Sequence, residues 1–510
     1  MSNLVPRRKG LYLRSAVFCC VMLCTSLARA QEQVSCPSPA PGFANGPASR
    51  LDGAGARVPA PPGQPASPNP IPAGTTCYTG PLDPRSNQAT PDANGAYYLI
   101  AIPANWNGTL FLFSHGGPNP ASQGPAPLGV SDLGAPDVLL PQGYAIAASS
   151  FSRNGWAVST NALDIESLRR IFVKKFGKPR LTLLFGGSYS GGVLERVVER
   201  YGVNADGTKN YDGAAIGCGL LGGLCRYFDA WLDQRVVYEY YCKNYPRSGE
   251  AEYPLYFGAP LGINNVEGAD PMDVAARVQE CTGIGLPPNQ RTAEQRQNLA
   301  NIQHVLRIPE EQIGAFATNL VLPGGQGLRD FTQDALGGSN AISNADVIYK
   351  GSTDDEALNR GVARYQAEPA ALHWVNKDSA PTGNIQIPVL TFHTVSDQIV
   401  FVETESVFHD LVESRKELGN LVQLFVKENS TDFYVGHCQF TPSEFAATFD
   451  LIVKWVESGA KPAPADANAA CQKHLAGSTD PNDACRFDPN YRPKVWSSRV
   501  YPRNPDPDAR

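Results

Sequence analysis

Leu181-Thr-Leu-Leu-Phe-Gly-Gly-Ser-Tyr-Ser-Gly-Gly192 runs from an apolar strand into a turn of small residues with a serine at its apex. The chain continues as Val193-Leu-Glu-Arg-Val-Val-Glu-Arg-Tyr201, where Val193, Val197 and Tyr201 recur at helical spacing. A strand, a sharp turn and a helix in direct succession lift one hydroxyl clear at the carboxyl end of a sheet, the layout of a nucleophile elbow. Small flanking residues are required because strand and helix backbones approach closely and the apex residue holds a strained conformation. The pattern Gly-x-Ser-x-Gly is met by Gly186-Gly-Ser-Tyr-Ser190 with serine replacing the last glycine, or by Ser188-Tyr-Ser-Gly-Gly192 with serine replacing the first. Strand length favours Ser188, which lies just past the run ending at Phe185; Ser190, the alternative nucleophile, falls within the first helical turn. A Gly/Ser-rich turn without chemistry is the competing reading.

Outward from the elbow, strand signals follow one another: Tyr97-Tyr-Leu-Ile-Ala-Ile102, Thr109-Leu-Phe-Leu-Phe113, Tyr144-Ala-Ile-Ala-Ala148, Gly213-Ala-Ala-Ile-Gly217, the run 385–393 and Leu421-Val-Gln-Leu-Phe-Val426. Continuous apolar runs suit buried parallel strands. Residues 164–176 read as a helix. Thr441-Pro-Ser-Glu444 opens another with a capping box, and Phe445, Phe449, Ile452, Val453 and Val456 form its apolar face. Strands alternating with helices predict an α/β fold with a mostly parallel sheet covered on both faces. Between 221 and 384 the alternation breaks into an aromatic-rich helical stretch, glycine-rich turns and polar helices such as 292–305. This segment reads as a cap over the carboxyl ends of the strands, where ligands bind in such sheets; an independent second domain is the rival. Tyr227, Phe228, Trp231 and Tyr238 in the cap either line an apolar pocket or belong to its core.

A serine hydroxyl is a weak nucleophile near neutral pH and needs a base, a group to orient that base, and donors for the developing oxyanion. Asp397, in Val395-Ser-Asp-Gln-Ile-Val400, follows a core strand directly, so its carboxylate is expected at the sheet's carboxyl edge. His437, in Val435-Gly-His-Cys-Gln439, follows the last strand, a turn before a helix. The order Ser…Asp…His is the one associated with the elbow. Of the other histidines, His304 and His373 fall in the cap, His393 within a strand, His409 in a helix-like run and His474 in the tail. Asp432 and Glu403 compete with Asp397 for the acid. Ser114-His-Gly-Gly117 ends an earlier strand, so the Gly116 or Gly117 N–H can join the Tyr189 N–H as an oxyanion hole, with His115 shaping the loop.

Residues from roughly 95 to 220 and 385 to 460 resemble the α/β-hydrolase superfamily. The likeness rests on Ser-His-Gly-Gly, Gly-Gly-Ser-Tyr-Ser-Gly-Gly, Ser-Asp-Gln-Ile-Val and Gly-His-Cys, taken in that order. The tyrosine after Ser188 is similar to the elbows of prolyl-peptidase-like serine peptidases, while the large cap is similar to secreted esterases of the tannase-like kind. The resemblance implies an α/β-hydrolase fold and a Ser188–His437–Asp397 triad. It also implies chemistry that needs no metal or organic cofactor.

Composition bounds the rest. The 510 residues, 42% of them hydrophobic, suffice for one large domain with insertions or for two. Residues 1–30 read as an export signal: Arg7, Arg8, Lys9 and Arg14 precede an apolar run, and Ala28-Arg-Ala30 supplies a cleavage site. A Pro/Gly/Ala-rich leader (31–90) follows, then the core (91–220), the cap (221–384), the second part of the core (385–462) and a tail (463–510). The apolar run is too short to span a bilayer comfortably, so no stable membrane insertion is expected. Without the signal, 38 basic residues stand against 49 acidic, which argues against nucleic acid as a partner. Nine of the twelve cysteines lie beyond residue 30. In an exported protein, periplasmic or secreted, they read as disulfides. Sequence proximity suggests Cys471–Cys485, Cys242–Cys281, Cys218–Cys225 and Cys36–Cys77, with Cys438 left over. The expected activity is hydrolysis of carboxylic esters, small or oligomeric, through an acyl-enzyme. A peptidase or amidase, a β-diketone C–C hydrolase and a non-catalytic binding module are the alternatives.

Overall fold

The computed structural model describes residues 33–34, 36, 71–82, 96–117, 133–153, 155–245, 247–250, 271–321, 327–328, 330–427 and 436–503. Nine strands form one sheet: β1 (Gln33–Val34), β2 (Thr76–Pro81), β3 (Tyr97–Ile102), β4 (Thr109–Ser114), β5 (Ala145–Ser149), β6 (Leu181–Gly187), β7 (Gly213–Gly217), β8 (Val389–Thr394) and β9 (Leu421–Val426). Their spatial order is β1-β2-β3-β5-β4-β6-β7-β8-β9. The pairs from β1 to β3 and the β3–β5 pair are antiparallel, and every pair from β5 to β9 is parallel. This mostly parallel sheet with an antiparallel margin is the α/β-hydrolase architecture that the motifs imply.

Alternating side chains explain how both faces are covered. Leu110 and Leu112 of β4 and Ala145 and Ala147 of β5 pack into one buried cluster with the Val158–Phe176 and Tyr189–Tyr201 helices. Phe111, Phe113, Ile146 and Ala148 turn to the opposite cluster, against the Pro442–Ser458 helix. On that side Phe111, Phe185 and Phe449 meet edge to face, with centroids 5.3–5.8 Å apart. Burying each such ring contributes about 1.5–3 kcal/mol, which is what holds the last core helix on the sheet.

Two element bounds differ from the sequence reading for identifiable reasons. The helix expected over 164–176 begins at Val158. Its first turn is capped from a distance, since the Asp378 carboxylate accepts the Val158 and Ser159 N–H groups at 2.9 and 3.0 Å, and no local pattern announces that. The run 385–393 pairs only from Val389, because Pro388 has no N–H to give the ladder; its carbonyl accepts Ala214 N–H instead.

Between β7 and β8 lie the helices Leu224–Cys242, Pro271–Thr282, Ala293–Val305, Phe316–Val321, Asp355–Gly361 and Pro369–Ser379. Phe228, Trp231 and Tyr238 are fully buried, so these three aromatics serve as core, while Tyr227 is only partly buried. Among the described residues there are four disulfides, Cys36–Cys77, Cys242–Cys281, Cys471–Cys485 and Cys218–Cys438. The last corrects the expected Cys218–Cys225 pair and the unpaired Cys438. Closing a long loop costs little more entropy than closing a short one, so proximity in sequence is a weak guide. Cys225 sits buried in the first turn of Leu224–Cys242 and, among the described residues, is in no disulfide. None of the described helices is long and apolar enough to cross a membrane.

Candidate active site

Ser188 stands between β6 and the Tyr189–Tyr201 helix with φ 59° and ψ −131°, a conformation costly for a residue with a Cβ. The surroundings enforce it. The Ser188 N–H donates to Gly217 O at 3.1 Å, and the Ser188 carbonyl accepts from Gly191 N–H and Leu220 N–H, both at 2.9 Å. A methyl group on Gly191 would overlap the Gly219 backbone, so the helix reaches this depth only because that residue is glycine. Ser190, where the elbow pattern has a glycine, is fully buried and its hydroxyl donates to Gly187 O at 2.8 Å. Its oxygen is turned into the elbow rather than out of it.

His437 Nε2 lies 2.7 Å from Ser188 Oγ, and His437 Nδ1 lies 2.7 Å from Asp397 Oδ2. With Nδ1–H donating to the carboxylate, Nε2 presents a lone pair to the serine hydroxyl, the tautomer general-base chemistry needs. The His437 side chain keeps 19% of its surface exposed whereas that of Asp397 has none. Asp397 Oδ1 accepts the Ile399 and Val400 N–H groups at 2.9 Å each. Burial alone would raise the Asp397 carboxyl, but the charge of His437 and the hydrogen bonds of His393 and His437 outweigh it and hold it down at about 2.

Two ties fix the His437 loop, and neither was read from sequence. Thr394 Oγ1, at the end of β8, donates to Gly436 O at 3.1 Å. The Cys218–Cys438 disulfide, with Cα atoms 5.4 Å apart, joins the residue after His437 to the residue after β7. Cys438 was visible beside His437 in the sequence, but its partner lies 220 positions away. His393 was set aside as the base because it lies within a strand, and Glu405 was not singled out. A histidine inside an apolar core strand, four residues before the candidate acid, was the available signal.

Gly116 lies against Ser188, since a Cβ there would come 3.3 Å from both Ser188 Cβ and Gly187 O. Gly117 has φ 59°, a left-handed conformation that favours glycine. Tyr189 N–H belongs to the first helical turn, which has no intrahelical acceptor, so it is available to an anion. The Tyr189 hydroxyl is engaged elsewhere, accepting from Ala157 N–H and Asn161 Nδ2 at 3.0 Å each. The His115 ring packs tilted against Phe151, with centroids 4.2 Å apart. Tyr227 lines a small cleft with Leu220, Val400, Phe401 and Trp496; burial first, then the charge of Asp397, raises its phenol.

Other sequence candidates sit on other elements. His304, His373 and His409 are on the Ala293–Val305, Pro369–Ser379 and Thr404–Ser414 helices, and His474 pairs with Asp450 at 2.8 Å. Glu403 precedes the Thr404–Ser414 helix, and Asp432 falls outside the described residues. Among the described residues, Cys218, His437 and Cys438 bring metal-ligating atom types together, but both sulfurs are spent in one disulfide.

No family model matches the chain. It is 23% identical over 443 residues to an o-phthalyl amidase of Xanthobacter agilis, covering 75% of this chain and 90% of that protein. Among solved structures it is similar to feruloyl esterase B from Aspergillus oryzae, with 13% identity and a TM-score of 0.39 over 76% of this chain and 82% of the other. It is also similar to Candida antarctica lipase A in its closed state, with 12% identity and a TM-score of 0.38 over 76% and 78%. Scores this low leave the fold to rest on strand order and connectivity.

Proposed function

We propose, from the α/β-hydrolase fold of this chain as premise, that it is a serine hydrolase acting through an acyl-enzyme, with carboxylic esters as its substrates. The reading is carried by one observation, the continuous Ser188–His437–Asp397 chain with 2.7 Å at each link. Ser188 Oγ attacks the carbonyl carbon while His437 Nε2 takes its proton, and Asp397 stabilises the imidazolium that forms. The oxyanion receives the Tyr189 N–H and the N–H of Gly116 or Gly117. Collapse expels the leaving group, which takes the proton from His437. Water, deprotonated by the same nitrogen, then releases the acid and restores the serine.

The relationship to an o-phthalyl amidase favours amide hydrolysis by the same residues as a second reading. Turnover of an o-phthalyl amide against the matching ester separates the two. Export, to a periplasm or out of the cell, is supported by the four disulfides. A fluorophosphonate probe tests the triad directly. Stoichiometric labelling at Ser188, abolished in S188A together with turnover, is the expected result; labelling at Ser190, or full activity of S188A, overturns it.

A further inference from the structure

Asp397 faces a second imidazole. His393, the fifth residue of β8, has no solvent exposure. Its Nε2 is 2.9 Å from Val400 O and 3.5 Å from Asp397 Oδ2, the oxygen that also meets His437; its Nδ1 is 3.2 Å from Glu405 Oε1. Glu405, equally buried, takes Thr391 Oγ1–H at 2.7 Å and Gln423 Nε2–H at 2.6 Å on its other oxygen. A neutral imidazole has one N–H, so one ring nitrogen would turn its lone pair against an oxygen. An imidazolium satisfies both. It also leaves the two buried carboxylates with a single net negative charge, the one a protonated His437 needs.

We propose that His393 is a positioning residue for the triad acid, an imidazole that stays protonated through neutral pH between Asp397 and Glu405 and whose charge limits how strongly Asp397 favours the protonated form of His437. The inference rests on the triad reading above. The ionisable groups acting on the ring are Asp397, from the loop after β8, and Glu405, from the Thr404–Ser414 helix. β9 presents the uncharged Gln423 to the same carboxylate, and Asp397 in turn acts on His437 and Tyr227. Burial by itself would lower the His393 imidazole, yet the hydrogen bonds and charges of its two carboxylates raise it to about 10.

Removing charges of opposite sign around one site supplies the test. H393Q removes a positive charge beside Asp397, so His437 stays protonated to higher pH and the acid limb of kcat/KM rises by about one pH unit. E405Q leaves His393 facing only Asp397, so the limb moves down by a similar amount. The H393Q/E405Q double variant, which removes a cation and an anion together, returns close to the parent. A merely structural role lowers activity or melting temperature but does not give shifts of opposite sign. Nitrogen-15 NMR of the parent protein, which needs no variant to fold, is expected to show two ring N–H protons on His393 at pH 8. One ring proton there, or acid limbs that stay put or move the same way in both single variants, overturns the proposal. S188A measured alongside keeps the two readings apart: its full activity sinks the triad, whereas the NMR count speaks to His393 alone.

Discussion

The two sides of Asp397 carry the same kind of side chain in opposite circumstances. On the outer side His437 sits in a loop, partly exposed, between a hydroxyl and one carboxylate oxygen. On the inner side His393 sits in a strand, sealed from water, between two carboxylates and a carbonyl. A base must gain and lose a proton in every turnover, so it needs a rim position and a partner whose proton it can take. A fixed charge needs the reverse, burial among acceptors that never release it. Position in the fold, more than residue type, separates the two histidines.

Replacing the shared acid breaks both sides at once. D397N keeps the shape, but it removes the charge and offers the wrong tautomer to His437; kcat is expected to fall about 10⁴-fold in steady-state assays. A fall of less than tenfold assigns the acid elsewhere. Next in size is the staple on the outer side. Removing Cys218–Cys438 as a serine pair is expected to lower unfolding stability by about 2–4 kcal/mol and kcat/KM by about tenfold or more, because the His437 loop loses a tie. The Cys36–Cys77 pair, held on β2 at the antiparallel margin of the sheet, should lose stability alone when treated the same way. Equal activities for the two variants in parallel denaturant melts and rate assays would remove the disulfide from the account.

The inner side has a pH signature of its own. A histidine raised from 6.5 to about 10 stabilises the fold fully below pH 6.5, and that contribution is lost as pH climbs through about 10. Asp397, lowered from 3.8 to about 2, contributes above pH 3.8 and loses that contribution as pH falls through about 2. Melting temperatures should therefore decline between pH 6.5 and 10, and H393Q should flatten that decline; an unchanged slope in the variant would count against a charged His393. The smallest effect is expected at the elbow. S190G loses one internal hydrogen bond, about 1 kcal/mol, and keeps kcat within a few-fold of the parent. A collapse of activity there would return Ser190 to candidacy.

Legibility followed the range of the forces involved. The elbow is contiguous, so strand, turn and helix could be read from residues 181–201 together with the reason for small neighbours. Strands β7 and β9 and the Thr441 capping box were legible for the same reason. Errors arose where a partner came from far along the chain: the Asp378 carboxylate that starts a helix at Val158, and the Cys438 sulfur that takes Cys218 away from Cys225.

By itself the amino-acid sequence determined the alternation of buried strands and helices, the serine at the apex of its turn and the order of serine, acid and imidazole. Those depend on local sterics and on hydrophobic periodicity, which act over a few residues. Only the tertiary structure decided which cysteine braces the His437 loop, where the Ser190 hydroxyl points, and that His393 and Glu405 stand behind Asp397. The disulfide and the pair behind Asp397 are contacts made when separate strands and loops are brought to one edge of the sheet, which neither spacing nor composition encodes, whereas the Ser190 bond to Gly187 O is local but depends on the elbow's backbone geometry.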